Sequence, residues 1–150
     1  MPQSLAMVVV HVIFSTKERV PCIDLTIRTE LNAYLAGTLR NLDCIPVEVN
    51  TLAEHVHILC SLARRVSIAA LVEEVKKGSS KWLKTKAAAL RNFHWQNGYG
   101  AFSVSPSMAA RVRRYILNQE EHHRKVTFQD EFRAFLKRHG LQYDERYVWD

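Results

Sequence analysis

A chain of 150 residues with 47% hydrophobic residues is long enough for one domain with a single core, and we expect that domain to cover residues 1–150. No apolar run is long enough to cross a membrane, and the first residues lack the basic start and cleavage site of a signal peptide, which predicts a cytoplasmic protein. The three cysteines are scattered, so neither a thiolate zinc site nor a disulfide framework is expected, whereas the net charge of +6 favours a polyanionic partner such as nucleic acid.

The first half of the chain alternates between strand and helix patterns. Residues 7–15 are rich in β-branched side chains and predict a buried strand, and an apolar stripe at helical spacing predicts a helix over residues 25–41. Residues 44–53 and 55–62 predict two more strands, whose short link favours a hairpin. Proline cannot donate a hydrogen bond within a sheet, so Pro46 predicts that the first strand of this pair lies at an edge.

The second half of the chain adds one helix, one short strand and then helices alone. Ser67 is a favourable N-cap for a helix over residues 68–86, and residues 101–105 predict a fourth strand. A third helix is expected over residues 106–122, followed by a short helix over residues 127–138. The order β-α-β-β-α-β predicts an α+β fold of the ferredoxin-like type, an antiparallel sheet with helices on one face, to which a tyrosine-bearing helix and a short terminal helix are added.

Two histidines separated by one residue lie inside the third predicted strand. Side chains alternate along a strand, so His55 and His57 point to one face and Val56 points to the other. The first and third strands are central in the ferredoxin-like order, which places His11 beside this pair. Two adjacent imidazoles are half of a metal site, although two ordinary histidines on a sheet face would show the same pattern.

The third predicted helix brings further polar groups to one face. Tyr115 and Gln119 are four residues apart, His123 follows four residues later, and His122 lies seven residues after Tyr115. Two imidazoles and an amide oxygen can hold a divalent cation and leave room for a phosphate oxygen, which favours Mg²⁺ or Mn²⁺ over zinc for a phosphodiester. A phenol has an ordinary pKa of ~10 and needs such help to attack phosphorus, which would give a phosphotyrosine and a free hydroxyl.

Several segments of the chain together resemble one known family. They span nearly the whole chain, and no one of them is specific alone. The segments are HVIFSTK at residues 11–17, EHVHIL at 54–59, KKGSSKW at 76–82, WQNGYGAFSVS at 95–105, YILNQEEHH at 115–123 and the tail at 144–149. In these segments the chain resembles the HUH single-tyrosine transposases of the insertion-sequence IS-two-hundred/six-hundred-five type and their relatives, the REP-associated tyrosine transposases.

The resemblance implies a DNA transposase that cleaves and rejoins single-stranded DNA. It implies that His55, His57 and Gln119 bind the metal, and that Tyr115 attacks the scissile phosphate to form a 5′-phosphotyrosine and release a 3′-hydroxyl. The implied cofactor is Mg²⁺ or Mn²⁺, and the implied substrate is single-stranded DNA with hairpin-forming ends. The implied assembly is a homodimer, in which the tyrosine helix of one subunit often completes the histidine face of the other. Glu54 stands where the family commonly has aspartate, and both residues are acidic.

Further expectations concern DNA contacts and the surroundings of the metal ligands. Basic side chains are candidates for phosphate contacts because cations add salt-dependent affinity, and a solvated helix face is the alternative. These candidates are Lys76, Lys77, Lys81, Arg91 and Arg114. Aromatic side chains that could stack on bases, or lie in the core instead, are Phe93, Trp95 and Tyr99. Candidates for supporting the ligands or transferring protons, with structural roles as the alternative, are His11, His122 and His123.

Two other functions stay open from the sequence. The same enzyme could serve its host by cutting palindromic repeats without mobilising an element, and genomic context would separate these cases. A non-catalytic nucleic-acid-binding module on the same frame would read bases with aromatic side chains on its central strands. The central strands offer His11, His55 and His57 instead, which favours the enzyme.

Overall fold

Four strands form one antiparallel sheet within residues 2–150, the part of the chain that the computed structural model describes. The strands are β1 (Val9–Ser15), β2 (Ile45–Thr51), β3 (His55–Ser61) and β4 (Gly100–Val104). The helices are α1 (Leu25–Asn41), α2 (Ile68–Leu83), α3 (Ala109–Leu117), α4 (Gln119–His123) and α5 (Phe128–Arg138), with short 3₁₀ turns at Lys17–Arg19, Ala88–Leu90 and Pro106–Met108. Among these described helices, none has both the length and the apolar character needed to cross a membrane.

The strand order β2-β3-β1-β4 confirms the ferredoxin-like α+β fold. β3 and β1 are central, and Ile13 of β1 pairs with His57 of β3. β2 lies at the sheet edge, as Pro46 predicts, and its register with β3 shifts between Pro46 and Glu48. The histidines of β3 therefore lie in the middle of the sheet, where paired strands on both sides fix their backbone.

The two faces of the sheet carry different side chains because residues alternate along each strand. Val12 of β1 and Ile58 of β3 belong to the main apolar core, which also contains the buried residues of α1 and α2. His11 and His57 point to the opposite face. The helices that follow β4 cover this second face, so the histidines lie between the sheet and a second layer of helices.

Aromatic residues explain why α5 packs over the histidine face. Phe128, Phe132 and Phe135 recur at helical spacing and are at most 8% exposed. They form a second core with Ile13 of β1 and Phe102 of β4. Burial of each phenylalanine contributes about 2 kcal/mol, which holds α5 against the sheet.

The C-terminal tail packs on α5. The Trp149 ring lies 5.9 Å from the Phe132 ring, and the Arg133 guanidinium lies 5.1 Å from the Trp149 ring centre. The backbone oxygen of Asp150 accepts a hydrogen bond of 2.8 Å from the Gly98 amide. The tail thus connects α5 to the loop that precedes β4.

The long helix predicted over residues 106–122 is divided in the structure. α3 ends at Leu117 and α4 begins at Gln119, because Asn118 has φ −96° and ψ 21°, outside the helical range. Asparagine is a weak helix former, which is consistent with a break at this position. Gln119 follows the break directly and is fully buried on the histidine face.

Candidate active site

Three histidines from the two central strands lie side by side. His55 and His57 of β3 have 0% exposure, and His11 of β1 is buried next to them. His11 Nε2 and His57 Nδ1 share a hydrogen bond of 2.8 Å. The structure thus places His55 and His57 on one sheet face, as their spacing predicts, and places His11 against the second imidazole.

Side chains of α3 and α4 reach this face from above the sheet. Gln119 Oε1 lies 3.5 Å from His55 Nε2 and 2.8 Å from His123 Nε2. The Tyr115 hydroxyl lies 3.4 Å from His122 Nε2. The residues predicted as nucleophile, ligands and supporting histidines are therefore brought together within one chain.

A carboxylate that the sequence patterns did not single out lies at the centre of this cluster. Glu131 of α5 is 3% exposed, and its Oε1 lies 3.1 Å from His57 Nε2 and 3.3 Å from His123 Nε2. Its Oε2 lies 3.2 Å from His122 Nε2 and accepts a hydrogen bond from the Tyr115 hydroxyl. Glu131 therefore joins the tyrosine to the histidine cluster.

A signal for Glu131 was present in the sequence. The residue falls on the apolar stripe of α5, next to Phe132 and at helical spacing from Phe128 and Phe135. A carboxylate on such a stripe is unusual, because burial of an unpaired charge is costly. Acidic residues are also common in the first turn of a helix, where the helix dipole favours them. A glutamate at this position of α5 therefore does not by itself indicate a functional site.

The donor atoms of the cluster fit a divalent cation. Four ligand atoms lie within 4.8 Å of one another, and they belong to His55, His57, His123 and Glu131. The Nδ1 atom of His55 lies 2.7 Å from a carboxylate oxygen of Glu54, and Nδ1 of His123 donates to the Val126 carbonyl at 2.7 Å. Protons on these Nδ1 atoms leave the Nε2 lone pairs directed at oxygen atoms of Gln119 and Glu131. Lone pairs that face one another in this way require positive charge between them, from a cation or from added protons.

Burial and hydrogen bonding set the protonation of the cluster. Burial lowers the pKa of His57 to about 4, so at neutral pH this imidazole is neutral and able to bind a metal. Burial alone would raise the pKa of Glu131, but in the metal-free protein Nε2–H groups of His123 and His57 donate hydrogen bonds to this carboxylate and hold its pKa well below the usual range. A bound cation would take the place of these protons. Burial, together with the Glu131 carboxylate, raises the pKa of Tyr115. Ionisation of the phenol therefore needs added positive charge nearby.

The predicted DNA contacts are spread over the molecule. Lys77 and Lys81 are exposed on α2, and Arg91 is exposed after the turn at Ala88–Leu90. Arg114 is exposed on α3, which lies on the other side of the sheet from α2. One face of the molecule does not carry all of these cations.

Lys76 makes different contacts from those predicted. Its ammonium donates hydrogen bonds to the backbone oxygens of Gln96 at 2.7 Å, Asn97 at 3.2 Å and Gly98 at 2.6 Å. Burial lowers the pKa of Lys76 to about 8, while the three carbonyl acceptors favour the charged form. The ammonium therefore holds the loop before β4 and is not available for a phosphate.

Two of the three candidate stacking residues lie in the core. Phe93 and Trp95 are buried, and their rings meet edge to face with centres 4.7 Å apart. Trp95 Nε1 donates a hydrogen bond of 2.9 Å to Ser79 Oγ. Tyr99 is 39% exposed and is the one member of this trio that a base could reach.

Two solved structures share the fold of this chain. A crystal structure of a candidate transposase from Deinococcus radiodurans R1 superposes with a TM-score of 0.62 at 20% identity, covering 79% of this chain and 98% of that one. The structure of a REP-associated tyrosine transposase bound to a REP hairpin superposes with a TM-score of 0.58 at 16% identity, covering 84% of this chain and 76% of that one. At these identities the likeness shows the fold alone.

Comparison at the level of sequence goes further than the fold. Among curated proteins none matches this chain. The family model described as "Transposase IS200 like" matches residues 4–119, which is most of the chain and includes the strand histidines, the tyrosine and the buried glutamine. The chain therefore belongs to the IS200-like transposase family.

Proposed function

We propose that this transposase cleaves and rejoins single-stranded DNA by transesterification, with Tyr115 as the nucleophile. The observation that carries the proposal is the position of the Tyr115 hydroxyl, which meets the buried histidine cluster through Glu131. The phenol oxygen attacks the scissile phosphorus and the bond from phosphorus to the 3′ oxygen breaks, which gives a 5′-phosphotyrosine and a 3′-hydroxyl. One ester replaces another, so a second strand end can reverse the reaction and rejoin the DNA.

A divalent cation is the proposed cofactor. The residues that would hold it are His55, His57 and Gln119, which the family resemblance implies, together with His123 and Glu131. When bound, Mg²⁺ or Mn²⁺ would supply positive charge to the phosphate as negative charge develops on its oxygens. Because the donor set mixes imidazole nitrogen with oxygen, it suits Mn²⁺ better than Mg²⁺, which prefers oxygen alone.

Other side chains would orient these ligands and accept the phenol proton. Glu54 and His11 each hold the Nδ1 atom of a strand histidine, which directs Nε2 towards the centre of the cluster. Glu131 Oε2 already accepts the hydrogen bond of the Tyr115 hydroxyl, so it is placed to take that proton as the oxygen–phosphorus bond forms. The leaving 3′ oxygen takes a proton from water.

The proposed groups come from a single chain, which supports a site completed in cis. A homodimer stays a prediction, but no exchange of tyrosine helices is needed to bring Tyr115 to the histidines. The structural neighbour bound to a REP hairpin supports single-stranded DNA with hairpin-forming ends as the substrate. Lys77, Lys81, Arg91 and Arg114 stay candidates for contacts with its phosphates.

Covalent capture of DNA tests the proposal. The protein is incubated with Mn²⁺ and a pool of hairpin-bearing single-stranded oligonucleotides with randomised flanks, and adducts are resolved on a denaturing gel. We expect an adduct from the unchanged protein and none from Tyr115→Phe, which keeps its DNA binding. Tyr147→Phe is the matched control, because Tyr147 is 63% exposed and lies outside the cluster. An adduct formed by Tyr115→Phe would overturn the assignment of the nucleophile.

A further inference from the structure

A groove of about 420 Å³ lies between α3 and α5 and ends at the proposed nucleophile. Its walls are largely apolar and include Met108 and Val112 on the side of α3 and Phe135 on the side of α5. Its two carboxylates both have partners, since Asp130 pairs with Arg133 and Glu131 belongs to the histidine cluster. Tyr115 and Glu131 line its inner end. The volume lies in the range of about 300–1,000 Å³ that is usual for sites of small organic ligands.

Two guanidinium groups stand at this groove from opposite walls. Arg111 of α3 and Arg138 of α5 are both exposed lining residues. Their neighbours are paired, since Arg113 contacts Glu48 at 3.2 Å and Arg133 contacts Asp130 at 3.1 Å. Neither Arg111 nor Arg138 has a carboxylate within ion-pair distance among residues 2–150.

The combination of an apolar floor and two unpaired cations is complementary to a nucleotide, which has an apolar base face and an anionic phosphate. The Arg138 guanidinium already lies 5.3 Å from the Phe135 ring centre, so a cation and an aromatic surface are held side by side. An apolar peptide would leave both cations without partners. The groove also leads directly to the Tyr115 side chain, which is half-buried there.

We propose that this groove binds the nucleotide of single-stranded DNA that adjoins the scissile phosphate. The base lies against Met108, Val112 and Phe135, and the flanking phosphates contact Arg111 and Arg138. This proposal rests on the proposed function. The nucleotide adjoins the cleaved bond only if Tyr115, at the inner end of the groove, is the nucleophile. Contact between the base and these apolar side chains would make binding depend on which base is present. The groove would therefore give the protein a sequence preference at one position of the substrate.

Methyl NMR of methionine provides a readout that does not depend on cleavage. Protein labelled with ¹³C at the methionine methyls is titrated, without metal, with short oligothymidylate and, in parallel, with oligoadenylate. We expect a saturable shift of the Met108 methyl with at least one of them. Met7 serves as the internal reference, since it contacts Ser61 and lies outside the groove.

Variants then test the two cations. Each variant loses a charge-assisted contact to phosphate, so Arg111→Ala and Arg138→Ala should each weaken oligonucleotide binding roughly tenfold or more. Arg40→Ala is the matched control, because Arg40 is exposed on α1, on the other side of the sheet. All three arginines are exposed, so these changes leave the core intact.

The NMR, binding and adduct experiments together distinguish failure of the groove proposal from failure of the proposed function. A silent Met108 methyl, an equal response to inorganic phosphate alone, or unchanged affinity in both arginine variants would overturn the groove proposal. A normal Tyr115 adduct with a silent Met108 would overturn the groove alone. A Met108 response that the arginine variants weaken, in a protein that forms no adduct, would support the groove and overturn the transesterification proposal.

Discussion

The hydroxyl of Tyr115 donates a hydrogen bond to Glu131 Oε2, while Oε1 of the same carboxylate lies 3.1 Å from His57 Nε2. One side chain of the last helix therefore connects the proposed nucleophile to the proposed metal ligands. The aromatic stripe of α5 holds this carboxylate in place by packing on the sheet. The helix α5 is thus part of the proposed site as well as part of the fold.

Replacement of Glu131 should weaken metal binding. Glu131→Gln keeps the shape of the side chain but removes its charge, and loss of a group that supports a metal site typically costs about 10–100-fold in affinity. We expect calorimetry with Mn²⁺ to show at least a tenfold rise in Kd. Asp130→Asn is the matched control, since the Asp130 side chain is exposed and pairs with Arg133. Equal Mn²⁺ affinity in Glu131→Gln and the unchanged protein would exclude Glu131 as a ligand.

The metal-free protein should lose stability as the pH falls from about 6.5 to about 4. Burial lowers the pKa of His57 to about 4, whereas the unfolded chain takes up the proton near its ordinary value of 6.5. The unfolded state then binds more protons in this interval, so the free energy of unfolding decreases with falling pH, by up to roughly 3 kcal/mol. Burial also lowers the pKa of His11, which acts in the same direction.

Urea unfolding in the presence of a chelator measures this pH dependence. His57→Gln should flatten the profile between pH 6.5 and pH 4, while His94→Gln, at an exposed position, should not. The raised pKa of His123 acts above pH 6.5 and the lowered pKa of Glu131 acts below its ordinary value of about 4.5, so the interval from pH 6.5 to pH 5 reports the histidines. A profile of His57→Gln that is as steep as that of the unchanged protein would show that His57 is not the titrating group.

Replacement of Lys76 should destabilise the fold. Lys76→Met removes three hydrogen bonds to backbone oxygens and leaves these acceptors without a donor, at a cost of about 2–4 kcal/mol. Lys77→Met, one residue further on the exposed side of α2, should change the free energy of unfolding by less than about 0.5 kcal/mol. Chemical denaturation of both variants makes the comparison. Similar small effects in both would mean that Lys76 is a solvated surface lysine.

Gly100 should not tolerate a side chain. A Cβ at this position would lie 2.5 Å from Cε2 of Phe132, so Gly100→Ala should push α5 from the sheet and cost about 1–3 kcal/mol. Gly37 lies in α1 with nothing within 4 Å of an added Cβ, so Gly37→Ala should stabilise by about 0.5–1 kcal/mol. Thermal unfolding should therefore shift in opposite directions for the two variants. Movement of α5 in Gly100→Ala would also carry Glu131 away from His57 and reduce Mn²⁺ affinity.

Local periodicity explains why much of the fold, and the grouping of several candidate site residues on shared faces, could be predicted. The alternation of a strand places His55 and His57 on one face, and the helical repeat places Tyr115 and Gln119 one turn apart. The order of strands and helices is enough to predict which strands are central, because few topologies satisfy it. These features depend on residues that are near neighbours in the chain, and the sequence by itself determined them.

Only the tertiary structure decided which distant side chains meet. His57 and Glu131 are 74 residues apart in the chain and in contact in the fold, and Lys76 is held by a loop twenty residues away. Such pairs depend on how α5 and the loops pack against the sheet, and no local period encodes that packing. The sequence determined that two imidazoles share a face. Packing decided that a buried carboxylate lies between them and Tyr115 of the same chain, because the phenylalanines around Glu131 hold α5 over that face.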